Sequence, residues 1–225
     1  MRRNPTCIFT KSGYNGKRRR KRTHFRRIIV RKKSHILLAR CLADHVQAGD
    51  LQHHRKAFCF GSILPDLKPS FLTTKHAFNV NFDSVQEQIK ALTVDCNIDE
   101  RNARVYWRQL GEVTHHVADY FTFPHNDTYE GTLLEHGQYE AELKRSLKAY
   151  ILNGEAVKNC GRSVSFTSFE QIISFIKKAH DLYISKERNV QEDIQFIITV
   201  CYQVMQGIVH LLEEKLEMAV SPCFA

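Results

Sequence analysis

An all-α fold, a single helical domain of about six to eight helices, is what the sequence predicts, and three observations carry that reading. From His35 onward, apolar residues recur at the three-to-four-residue spacing of helices that bury one face. The 225 residues include only ten Gly and five Pro, too few for a collagen-like or low-complexity chain. The length suits one continuous core, and no internal repeat, GxGxxG or P-loop pattern interrupts it.

Charge divides the chain. The net charge is +9, yet residues 1–33 hold fourteen Lys or Arg and no Asp or Glu. Residues 34–225 hold nineteen basic and twenty-four acidic side chains, a net of −5. The expected organisation is a basic N-terminal extension, 1–33, in which like charges repel and cannot build a core, followed by a helical domain, 34–225. The extension reads as a solvated tail or an over-extended translation start. The alternative is a tether to an anionic membrane or to nucleic acid.

Ile28-Ile29-Val30 is too short for a signal sequence, and no run of about eighteen apolar residues marks a transmembrane helix. The seven cysteines, at 7, 41, 59, 96, 160, 201 and 223, are odd in number and never spaced CxxC. That argues against a disulfide framework or a thiolate zinc site and suits a reducing compartment. A cytoplasmic protein is expected.

The elements follow in order. His35–Val46 places Ile36, Leu37, Leu38, Cys41, Leu42 and Val46 at helical spacing. His45, Asp50, His53 and His54 read as solvated loop residues, and Gly61–Phe71 as a loop punctuated by Pro65 and Pro69. Asp83–Leu92 is a short helix capped by Asp83 or Ser84. Ile98–Phe121 opens with Asp99 and Glu100, acids that suit a helix N-terminus, and Phe123-Pro124-His125-Asn126 ends it. Thr128–Leu152 follows and stops at Asn153-Gly154. Ser165–Ser185 and Ile194–Leu216 are two further amphipathic helices.

Chemistry enters through histidine. His115 and Asp119 form an HxxxD, and His136 and Glu140 an HxxxE, both inside expected helices. Residues four apart share one helix face, so an imidazole and a carboxylate can meet one cation. His125 lies in the turn between those helices, and a hairpin there brings all five groups to one seam. Either motif alone is more often a helix-face ion pair; two flanking a turn histidine are harder to obtain by chance. Upstream stand His35 at the head of the first helix, Asp66 in Ser62-Ile63-Leu64-Pro65-Asp66-Leu67, and His76. His116 faces about 100° from His115 and reads as a partner of Glu112.

The order and spacing of these eight residues resemble the zinc-dependent phospholipase C family, whose superfamily includes single-strand-specific zinc nucleases. The motifs cover roughly Ser34 to Leu143. The resemblance implies zinc as cofactor. Asp66, His76, His115 and Asp119 would hold a first ion, and His125, His136 and Glu140 a second. A third would take His35 and a bridging Asp119. In secreted members the third ion is completed by an N-terminal Trp; here Lys and Arg precede His35 and the only Trp is Trp107, so two zinc sites are expected, and the third, with only His35 and Asp119, is weak, completed by water or another residue, or empty.

The implied activity is hydrolysis of a phosphoester substrate, phospholipid or nucleotide, by a metal-activated water, with Asp66 orienting or deprotonating that water. Tyr120, Phe121 and Phe123 lie close enough to line a substrate pocket, though core packing is the simpler role for each. The alternatives are a nucleic-acid or anionic-membrane binding protein acting through residues 1–33, and a family member that binds metal without turnover.

Overall fold

A computed structural model describes residues 33–68, 77–160, 164–187 and 189–220. Most of the basic extension and His76 lie outside the described residues. Among those described there are helices and no strands. The order is α1 (33–45), α2 (Leu51–Gly61), a 3₁₀ turn at Pro65–Leu67, α3 (Phe78–Leu92), α4 (Ala103–Tyr120), a 3₁₀ turn at Phe123–His125, α5 (Leu133–Leu152), α6 (Glu155–Cys160), α7 (Phe169–Ser185) and α8 (Val190–Val220).

Several boundaries move from the sequence reading, each for a local reason. α3 starts five residues before Asp83, with Ala77 at its head and Phe82, Val85, Ile89 and Leu92 buried. α4 begins at Ala103, where the Asn102 side chain accepts from the Val105 amide, so Asp99 and Glu100 lie outside the helix. α5 begins at Leu133 behind a reciprocal cap: Thr132 accepts from the Glu135 amide while Glu135 accepts from the Thr132 amide. Ser168, accepting from the Gln171 amide, starts α7. His53 and His54 belong to α2 and not to a loop; that helix buries only Leu51, Phe58 and Gly61, too sparse a stripe to announce itself.

α8 is the core helix. Ile194, Ile198, Cys201, Met205, Ile208 and Leu212 are buried along it, each worth roughly 1.5–3 kcal/mol of apolar burial. Its span Val190–Ala219 is long and apolar enough to cross a membrane by length and composition, which the sequence reading did not anticipate. Yet 67% of its most apolar window is buried within the fold, as a core helix requires. α4, α5, α6 and α7 all pack on it, and α4 also packs on α2 and α3. The described cysteines are free thiols; burial pushes that of Cys41 up to about 12.

The α2–α4 crossing sets the geometry of the site. A Cβ on Gly61 would lie 1.9 Å from the Arg108 carbonyl oxygen, and one on Gly111 would lie 2.2 Å from the Phe58 carbonyl oxygen. The two backbones touch because neither position carries a side chain. That contact brings Ser62, at the end of α2, against the middle of α4.

Candidate metal centre

Asp119 is the hub. It sits in the last turn of α4, one turn beyond His115, and is almost fully buried. Its Oδ1 lies 3.3 Å from His35 Nε2 on α1 and 3.3 Å from His125 Nδ1 in the turn after α4. Its Oδ2 lies 3.2 Å from His115 Nε2. The rings of His35 and His115 stack with centroids 4.0 Å apart. Asp66, on the 3₁₀ turn Pro65–Leu67, reaches to 3.9 Å from His115 Nε2 through Oδ1, and its buried Oδ2 has no hydrogen-bond partner among the described residues.

A second group adjoins the first. His136 and Glu140 stand one turn apart on α5, with His136 Nε2 2.7 Å from Glu140 Oε1. His125 Nε2 lies 3.6 Å from the same oxygen. His125 therefore faces Asp119 with one ring nitrogen and Glu140 with the other. The metal-ligating atoms of His35, His115 and Asp119 lie within 4.8 Å of one another, as do those of His125, His136 and Glu140. Between the groups is a cavity of about 40 Å³, bordered by Ser34, Leu38, Leu143 and Ile197 as well as by site residues.

The donor chemistry fits a bound cation. The Ser62 carbonyl lies 2.9 Å from His115 Nδ1, and a carbonyl can only accept, so Nδ1 carries the proton. In the neutral ring Nε2 then presents a lone pair to Asp119 Oδ2 at 3.2 Å, an acceptor facing an acceptor. A proton on Nε2 or a metal ion between the two groups would satisfy that contact. Burial, and then nearby His115, lower the pKa of His35, which favours its neutral form. Burial would raise the Asp119 carboxyl, but His125 and His115 outweigh it and hold that group well below the usual carboxylate range. Protonating several imidazoles in one buried seam sets like charges together. An imidazole-and-carboxylate donor set of this kind suits zinc, which needs no thiolate.

Of the eight residues expected from sequence, seven converge on this seam; His76 lies outside the described residues. The groupings differ in one respect. His35, read as part of a third site, stacks directly on His115, so the expected first and third positions form one continuous cluster around Asp119.

Other expectations resolve into packing. Glu112 pairs with Lys68 at 2.6 Å, whereas His116 Nδ1 meets Asn81 at 3.2 Å. Tyr120 and Phe121 are fully buried, Tyr120 donating to Asn81 and Phe121 stacking on Phe196, so they belong to the core. Phe123 is half-buried against Tyr129 and Tyr139. His45 Nδ1 lies 2.7 Å from the Cys41 carbonyl, and Asp50 accepts from Trp107 Nε1 at 2.9 Å. Sequence reasoning missed Ser62, which acts through a backbone carbonyl that no motif reports.

The all-α fold thus encloses a buried histidine–carboxylate seam whose donor set could hold metal ions. The zinc dependent phospholipase C family model matches residues 34–190, and the chain belongs to that family. No curated protein and no solved structure matches it.

Proposed function

We propose that this protein is a zinc-dependent hydrolase of phospholipase C type that cleaves the phosphodiester of a phospholipid. One observation carries the reading: His115, oriented by the Ser62 carbonyl, turns Nε2 to Asp119 inside a seam shared with His35, His125, His136 and Glu140. Asp66, His115, Asp119 and His35 would hold metal on one side, with His76 carried over from the family resemblance. His125, His136 and Glu140 would hold it on the other. Zinc, when bound, makes a water acidic enough to attack at neutral pH and offsets charge building on the phosphate.

The chain's own residues do the rest. Ser62 fixes the tautomer and ring orientation of His115. Asp66 is suited to accept a proton, because Oδ1 faces the cluster while Oδ2 has no partner among the described residues. The attacking water then bonds to phosphorus, its proton passes to Asp66, the phosphorus–oxygen ester bond breaks, and the departing alkoxide takes a proton from solvent. Apolar Leu38, Leu143 and Ile197 around the cavity limit competing water.

The test is a substrate panel: phosphatidylcholine vesicles, single-stranded DNA, RNA and bis(p-nitrophenyl) phosphate, each with zinc-loaded protein. Release of the phosphorylated head group from phosphatidylcholine is expected. Absence of phosphatidylcholine turnover by zinc-replete protein, whether or not the other substrates are cleaved, would overturn the proposal.

A further inference from the structure

We propose that Asp193, on α8, is a positioning residue for the half of the centre formed by His125, His136 and Glu140, an inference that rests on the metal-centre reading above. Its carboxylate is completely buried and accepts three hydrogen bonds. Oδ2 takes the Phe123 backbone N–H at 2.9 Å and the Tyr139 hydroxyl at 2.8 Å. Oδ1 takes the Tyr183 hydroxyl at 2.7 Å.

Each donor lies on a different element. Phe123 opens the turn that delivers His125 two residues later. Tyr139 sits between His136 and Glu140 on α5. Tyr183 lies near the end of α7. One carboxylate oxygen therefore ties the turn bearing His125 to the helix bearing the other two residues. The distance between His125 and Glu140, 3.6 Å, is set by two elements that Asp193 joins.

Residue type supports this role. Burying an ionised carboxylate is costly unless it is well paired, so a position needed only for packing would favour an apolar side chain. A carboxylate accepts at both oxygens, whereas an amide offers one acceptor and one donor group. The first turn of α8 also favours negative charge. Asp193 lies beyond residue 190, where the family match ends, so its role does not follow from the family.

Asp193→Asn tests the inference while keeping the shape: the amide NH2 cannot accept, so the variant loses the charge and at least one of the three accepted hydrogen bonds. Tyr139→Phe removes one leg of the clamp and carries the test should Asp193→Asn fail to fold. Zinc binding is measured in metal-buffered solution by elemental analysis, together with the visible spectrum of cobalt-loaded protein and thermal unfolding in EDTA. In both variants the affinity for one ion should fall by roughly 10- to 100-fold and its cobalt bands shift. The other ion should stay near wild type even where the metal-free unfolding midpoint falls with the lost buried hydrogen bond. Unchanged zinc affinity in the variants, or equal weakening of both ions in step with metal-free stability, overturns the inference. A wild-type protein that binds no zinc would instead sink the metal-centre reading, and this inference with it.

Discussion

Gly111→Ala should damage the metal centre without touching any of its residues. The new methyl would stand 2.2 Å from the Phe58 carbonyl oxygen and 2.8 Å from the Ser62 amide nitrogen. Both obstacles are backbone, so no rotamer change relieves them. Carbon–oxygen contacts settle near roughly 3.3 Å, so α2 must withdraw from α4 by roughly 1 Å. The Ser62 carbonyl belongs to the segment that moves, and its 2.9 Å bond to His115 would stretch beyond hydrogen-bond range. Overpacking of this kind costs about 1–3 kcal/mol, and orphaning the buried His115 N–H about 1–3 more. At about 2–4 °C per kcal/mol for a chain of this size, the melting temperature should fall by roughly 5–20 °C. The assay is thermal unfolding with zinc content per folded chain; Gly49→Ala, where a Cβ meets nothing within 4 Å, is the control. A Gly111→Ala protein with wild-type melting and full zinc occupancy would refute the close-crossing argument.

Asp66→Asn should lower kcat by roughly 100-fold or more while moving stability by less than about 1 kcal/mol, measured by phosphatidylcholine turnover beside thermal unfolding; an unchanged rate would remove Asp66 from the proton path. His35 has a folded pKa below its unfolded value, so its stabilising contribution is present above pH 6.5 and lost as pH falls through and below it. In EDTA, wild-type stability should therefore drop more between pH 8 and 5 than that of His35→Gln, whose side chain does not titrate; parallel profiles would contradict this. Zinc at 1,000 times its dissociation constant should stabilise the protein by about 4 kcal/mol relative to EDTA, read as a concentration-dependent melting temperature.

What the sequence revealed and what it hid divide along contact range. His115–Asp119 and His136–Glu140 are legible because four-residue spacing on a helix is local geometry, and Phe123-Pro124-His125 announces the turn that folds the two helices together. The all-α class follows from periodicity of the same local kind. α2 escaped because its buried stripe is only three residues long and crowded by His, Arg and Lys. Ser62, Asp193 and the Gly61–Gly111 crossing escaped for a different reason. Each works across 50 or more residues of chain, through a carbonyl, a buried acid and an absent side chain. Nothing in local composition distinguishes Asp193 from the solvated acids that commonly open helices. Boundary errors at α4 and α5 trace to capping: Asn102 and Thr132 define the starts, while Asp99, Glu100 and Thr128 only imitate them.

Metal content of untreated, purified protein tests the central claim most directly. Elemental analysis should find about two zinc ions per chain, falling in both His115→Ala and Asp119→Ala variants. A folded wild-type chain carrying no transition metal, and taking up none from zinc-buffered solution, would contradict it.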